Sequence, residues 1–259
     1  MEALANVLDK LLSADGCPWD REQTPLTLAD YVVEEAHELV AAIRDSNSAA
    51  VCNELGDVLF LLLFIARLYQ DQGSFTLADA MDQCAEKMVR RHPHVFAGEK
   101  FDSRDAQLKA WEAIKKQEKP TSSGLFADLP QSLPPLIKAY RIHSKAARSG
   151  FTWPDDEDVE RQVEAEWLEW IDATQADNKT AQKHELGDML FSLVELGRRH
   201  GIKANEALDL ATRRFIKRYG RMEEMARDAG RQLAQMPLDE QDELWSRAKE
   251  EESANEDPA

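Results

Sequence analysis

Two short acidic motifs, Glu34-Glu35-Ala36-His37-Glu38 and Glu54-Leu55-Gly56-Asp57, hold the residues best suited to chemistry. Glu35 and Glu38 are three apart, as are Glu54 and Asp57, so each pair shares a face if its segment is helical. Between them, Asp45-Ser46-Asn47-Ser48 has the composition of a turn followed by a helix N-cap. Counted from Ser46, Glu38 lies eight residues before and Glu54 eight after, while Glu35 and Asp57 are each eleven away. In an antiparallel helix pair these residues fall level, about 12 and about 17 Å from the turn at ~1.5 Å per residue. Four carboxylates would then converge on one spot.

Such a group calls for a cation. Two carboxylates about 4 Å apart repel by roughly 1 to 4 kcal/mol between water and a protein surface. A cluster of them either raises its pKa values or binds positive charge. Ligands that are all oxygen suit a hard ion, Mg2+ first and Mn2+ second. A lone E-x-x-E is more often a solvated helix face. Here the level pairing, beside an apolar run from Val58 to Ile65 that must be buried, favours the ion.

With 259 residues the chain has room for one large or two modest domains. Its net charge of −17 argues against a nucleic-acid partner, although a metal can bridge to a small polyanion. Cys17, Cys52 and Cys84 are widely spaced, form no C-x-x-C pattern and suit a reducing compartment. The N-terminus lacks a signal-sequence pattern, and the apolar run from Val58 to Ala66 falls short of the roughly 20 residues that span a bilayer. The expectation is a soluble cytoplasmic protein with no membrane partner.

Nearly every segment reads as helix. Leu4, Val7, Leu8, Leu11 and Leu12 make an amphipathic stripe over 2–13, which Gly16-Cys17-Pro18-Trp19 breaks. Helices over about 26–45 and about 48–72 form the central hairpin, with Gly73 as its stop. A further helix runs to about 92, where Pro93 ends it, and another covers 103–118. No alternating stretch is long enough for a strand.

The constellation then recurs. Glu166, Glu169, Glu185 and Asp188 stand 131 residues after Glu35, Glu38, Glu54 and Asp57, and the midpoint moves to Asp177. Gly150-Phe151-Thr152-Trp153 follows Gly16-Cys17-Pro18-Trp19 by 134, as Trp245 and Lys249 follow Trp111 and Lys115. The chain is therefore read as all-α, a tandem repeat of two helical-bundle modules. The first spans 1–119, a linker 120–130, the second 131–252, and 253–259 is an acidic tail, with fraying expected from Glu250 onward. The copies differ, since Ala165 replaces Glu34 and Leu168 replaces His37.

A basic helix follows each hairpin. Lys87 and Arg91 lie four apart, as do Arg214 and Arg218, and both pairs are candidate grips for phosphate oxygens. The plainer alternative is surface ion pairing, worth little. Trp19 and Trp153 can stack on a base, but a repeated Trp beside a Gly loop is more often a packing anchor. No phosphate-binding loop, dinucleotide fingerprint or nucleophile elbow is present. A di-iron carboxylate bundle would need a second Glu-x-x-His beside Glu34 and His37, and the repeat does not supply it.

The string Gly16-Cys17-Pro18-Trp19-Asp20, Glu34-Glu35-x-x-Glu38, Glu54-Leu55-Gly56-Asp57 and Arg90-Arg91-His92-Pro93-His94-Val95-Phe96 resembles the MazG nucleoside triphosphate pyrophosphohydrolases over nearly the whole chain. The resemblance implies a homodimer of tandem all-α modules that uses Mg2+ to hydrolyse a nucleoside triphosphate to the monophosphate and pyrophosphate. It makes Glu35, Glu38, Glu54 and Asp57 metal ligands, and places Glu166, Glu169, Glu185 and Asp188 at the matching positions. Glu34 or a ligating carboxylate would orient the attacking water, and Lys87 and Arg91 would meet the leaving pyrophosphate. Two alternatives stay open: the second module as the catalytic one, and a nucleotide-binding regulator with no turnover.

Overall fold

The computed structural model describes residues 2–118 and 124–256, which form twelve α-helices and no strand. They fall into two compact units, 1–119 and 120–259.

In the first unit the stripe of Leu4, Leu8 and Leu12 folds as α1 (Glu2–Leu12), and Pro18 opens the short α2 (Pro18–Arg21). Gly16 is required between them, since a Cβ there would sit 2.0 Å from the Leu11 carbonyl oxygen. α3 (Pro25–Arg44) starts from a capping box in which Thr24 and Thr27 satisfy each other's backbone N–H. α4 (Ser48–Asp71) returns antiparallel to it, and α5 (Leu77–Arg91) begins with the Thr76–Asp79 capping box. α6 (Pro93–Phe96) and α7 (Arg104–Glu118) complete the unit. Its core is Leu8, Leu28, Leu63 and Phe64, which joins α1, α3 and α4.

The hairpin turn is where the acidic spacing placed it. Ser46 has φ of 53° and Asp177 has φ of 49°, two non-glycine residues in the left-handed region at equivalent midpoints. After each, an asparagine caps the next helix: Asn47 Oδ1 accepts from the Ala50 N–H and Asn178 Oδ1 from the Ala181 N–H, both at 3.1 Å. Losing such a cap costs typically ~1 kcal/mol. Asn47→Ala and Asn178→Ala are each expected to lower unfolding free energy by about that amount in denaturant titrations.

In the second unit α8 (Pro135–Arg148) takes the place of α1, followed by α9 (Asp156–Gln175) and α10 (Lys179–Arg199) as the hairpin. α11 (Ala204–Asp228) continues unbroken where α5 stops at His92-Pro93, and α12 (Leu238–Glu256) packs on it. Met222, Met225, Ala226, Leu233, Leu244 and Ala248 form their shared core.

Two boundary expectations change. Residues 124–130 pack with the second unit, where Leu129 is buried and Asp128 pairs with Lys145. The acidic end does not fray from Glu250: α12 runs to Glu256, since Glu251 and Glu252 pair with Arg221 and Arg218. The expected linker residues 120–123 and tail residues 257–259 lie outside the described residues. α4 also exceeds the apolar run visible in the sequence, and by length and composition it could cross a membrane.

Candidate metal centre

α3 contributes Glu34, Glu35 and Glu38, while α4 contributes Glu54 and Asp57. Ligand oxygens of Glu35, Glu38 and Glu54 all lie within 4.8 Å of one another. Crowding holds the Glu35 carboxyl above its ordinary range: desolvation is the largest cause, followed by the charges of Glu38, Asp57, Glu54 and Glu34. Asp57 is near enough to act on Glu35 but stands outside the tight trio. Asp57 accepts from Asn53 Nδ2 at 3.2 Å, a nitrogen that also donates to Glu54 Oε1 at 3.3 Å, and lines a cavity with Leu4, Cys52, Gly56 and Phe60.

In the second unit the trio is Glu166, Glu185 and Asp188, again within 4.8 Å of one another. Gln162 Nε2 donates to Glu166 Oε1 at 2.6 Å and fixes that carboxylate. Glu185 is pushed up by burial first, then by Glu169, Glu166 and Asp188, with His184 opposing. Glu169 is the member left outside the trio. Each hairpin therefore brings together three of the four expected carboxylates, with the fourth bordering them.

The donor set fits a small hard cation. An octahedral ion with ligands at about 2.1 Å spaces its oxygens roughly 3 to 4.2 Å apart. A slight closing of each trio, driven by the loss of carboxylate repulsion, reaches that spacing. No nitrogen or sulfur donor belongs to either trio, which favours Mg2+ or Mn2+ over zinc or copper.

The basic residues are arranged differently from the expectation. Arg91 donates through Nε and Nη2 to Glu118 and lies over the Trp111 ring, 5.5 Å from its centroid. Arg218 donates to Glu252 at 2.6 Å and lies 5.7 Å from the Trp245 centroid. Both guanidinium groups thus tie the last helix of their unit to the basic helix, and both hold their glutamate below the ordinary carboxylate range. Glu118 and Glu252 are separated by 134 residues, the spacing of Trp111 and Trp245, so the same repeat contained the signal. Lys87 is half-buried on α5 and Arg214 exposed on α11. Trp153 packs on His143 with ring centroids 6.0 Å apart and its carbonyl accepts from Arg199, so it anchors the loop. Trp19 is 53% exposed and makes a T-shaped contact with Tyr31.

The MazG nucleotide pyrophosphohydrolase domain family matches residues 23–96, which contain the first trio. The chain is 39% identical over 249 residues to a nucleoside triphosphate pyrophosphohydrolase/pyrophosphatase MazG of Thermotoga maritima, covering 96% of this chain and 95% of that protein. A nucleoside triphosphate pyrophosphohydrolase of Escherichia coli K12 is 35% identical over 259 residues, covering 95% and 98%. Among solved structures, a mazG-related protein from Thermotoga maritima is similar at 28% identity and a TM-score of 0.39, covering 45% of this chain and 99% of that one.

Proposed function

Since the chain belongs to the MazG family of nucleoside triphosphate pyrophosphohydrolases, we propose that it hydrolyses a nucleoside triphosphate to the monophosphate and pyrophosphate with the help of Mg2+. The observation that carries this reading is the carboxylate trio on facing helices, built twice in one chain. Glu35, Glu38 and Glu54 would hold the ion, as would Glu166, Glu185 and Asp188, with Asp57 and Glu169 as bordering ligands. Bound there, the ion would neutralise triphosphate charge and act as a Lewis acid that activates water.

The chain's own groups supply the rest. Glu34, beside the trio and raising Glu35, orients the water or takes its proton. Lys87 meets the leaving pyrophosphate, and Arg91 reaches a phosphate with Nη1 while Nε and Nη2 stay on Glu118. Arg214 and Arg218 take the corresponding places in the second module. Five acids crowd the first site, against four acids and an opposing His184 in the second, so the first binds the ion more tightly and is assigned the catalysis.

Apolar side chains also point to a second copy of the chain. Tyr31, Val33, Val40 and Ile43 on α3 and Leu55, Leu59 and Leu62 on α4 are exposed around the acids. A homodimer covers such faces and explains an apolar α4 without a membrane. The same acids, Glu54 and Asp57, would be costly within a bilayer, which favours a cytoplasmic enzyme.

The test is a panel of ribo- and deoxyribonucleoside triphosphates with Mg2+, scored for pyrophosphate and monophosphate. Stoichiometric release of both, abolished by chelation, is expected. Saturable nucleotide binding without pyrophosphate release would instead mark a regulator without turnover.

A further inference from the structure

Each module ties its basic helix to its last helix through one carboxylate, and the atoms are divided in the same way both times. Glu118 Oε2 accepts from Nε and Nη2 of Arg91, the first at 3.0 Å, while Glu118 Oε1 accepts from Arg90 Nε at 3.3 Å. Glu252 Oε2 accepts from Arg218 Nε at 2.6 Å, and Glu252 Oε1 pairs with Lys217 Nζ at 3.2 Å. The inner arginine takes one oxygen and the cation before it takes the other. That inner guanidinium also lies over an indole ring, Trp111 in one module and Trp245 in the other.

Holding a helix in place does not account for this arrangement. α12 packs on α11 through Met222, Met225, Ala226, Leu244 and Ala248, all buried, and apolar residues would hold it as well as a buried ion pair does. The helix that carries the arginine also differs, since α5 ends at Arg91 whereas α11 continues past Arg218 to Asp228. What stays constant is an arginine whose plane is fixed by a carboxylate and a ring. A simple tie has no use for a fixed plane. An arginine that must meet a phosphate does, because it then loses less freedom when the ligand arrives.

We propose that Glu118 is a positioning residue of the reaction, holding Arg91 by Nε and Nη2 so that Nη1 stays available to the leaving pyrophosphate. The inference rests on the triphosphate reading above and concerns a residue that itself touches no substrate. Arg91 Nη1 has no hydrogen-bond partner among the described residues, and its side chain keeps 11% of its surface exposed. Lys87 stands one turn earlier on the same face of α5. Glu118 stays charged, because the Arg91 hydrogen bond, ahead of the other influences, holds its carboxyl below the ordinary range.

The experiment measures triphosphate turnover by the full chain with Mg2+, and its inhibition by each of the two products. Glu118→Gln keeps the shape of the side chain but removes its charge and one acceptor oxygen. It is expected to weaken inhibition by pyrophosphate about tenfold, with a matching fall in kcat/KM, and to leave inhibition by the monophosphate unchanged. Glu118→Asp keeps the charge but withdraws it by one methylene. It should lose less, and it carries the test if the first variant fails to fold. In an Arg91→Ala background Glu118→Gln should change nothing more, since Glu118 acts only through that side chain. A carboxylate that merely ties α7 to α5 would lower the melting temperature of the variant and leave both product constants as they were. That result overturns the proposal, as does an undiminished further loss in the Arg91→Ala background. If wild type releases no pyrophosphate from any triphosphate, the enzyme reading falls alone. Calorimetric binding of pyrophosphate with Mg2+ to wild type and Glu118→Gln then decides the role of Glu118. An affinity about tenfold lower in the variant keeps it, and equal affinity rejects it.

Discussion

Glu54→Ala is expected to lower kcat/KM for triphosphate hydrolysis by at least about a hundredfold, equivalent to roughly 3 kcal/mol of transition-state stabilisation. Glu54 is half-buried near the start of α4 and is the carboxylate that α4 contributes to the trio within 4.8 Å. Stability should move the other way. Without an ion the acids repel one another, a contribution that adds to desolvation in raising the Glu35 carboxyl, and deleting one acid relieves that repulsion. The variant's metal-free form should melt at or above the wild-type temperature. Wild type should gain melting temperature on adding Mg2+, and the variant should gain much less. Glu185→Ala tests the second trio in the same way. If Glu54→Ala keeps full activity while Glu185→Ala loses it, catalysis belongs to the second module; loss in both means that the modules cooperate.

Arg198→Ala is expected to cost about 3 to 5 kcal/mol, a large part of the roughly 5 to 15 kcal/mol that holds a domain together. Glu195 is 1% exposed and receives Arg198 Nε at 2.6 Å and Nη2 at 2.8 Å. His143 Nδ1, at 3.5 Å, is the other basic group beside it. The first module holds Phe64, also 1% exposed, at the position 131 residues earlier. Glu195→Phe in the Arg198→Ala background should therefore recover most of the loss. A loss below about 1 kcal/mol, or one that the second substitution leaves intact, would show that Glu195 does not need its partner.

The effect also has a pH signature. Burial pushes the His143 imidazole below its usual value, against the pull of the Glu195 charge and the Phe191 carbonyl, while the Arg198 charge pushes it further down. A histidine with a depressed folded value costs no stability above its ordinary range near about 6.5. The cost grows as pH falls through that value to the folded one. Removing Arg198 lifts one depressing cause, and a protonated His143 can then face Glu195. The penalty of Arg198→Ala, read from calorimetric melts of the second unit, should shrink on acidification. A penalty that grows toward acid would reject this account.

What the sequence determined by itself was whatever depends on spacing along a helix. The level placement of Glu38 against Glu54, the turn midpoints at Ser46 and Asp177, and the 131-residue repeat follow from a fixed rise and countable spacings, whereas the left-handed backbone at both midpoints is a finding of the structure. A carboxylate cluster partway along the hairpin, with its requirement for positive charge, was legible, although three of the four acids close up and the fourth borders them. What the tertiary structure decided was rotation and distant partnership. Asp57 stays outside its trio, sharing Asn53 with Glu54 beside a cavity that Leu4 of α1 also lines, whereas its counterpart Asp188 joins the second trio, so the packing of each hairpin decides which acid is left at the border. Arg91 is held by Glu118 and Arg218 by Glu252, pairs 27 and 34 residues apart that no local pattern encodes. Glu195, an acid within a helical pattern, reads from the sequence as solvated and is instead core, because Arg198 one turn along compensates its charge. Periodicity sets which residues share a face, whereas packing sets what that face meets.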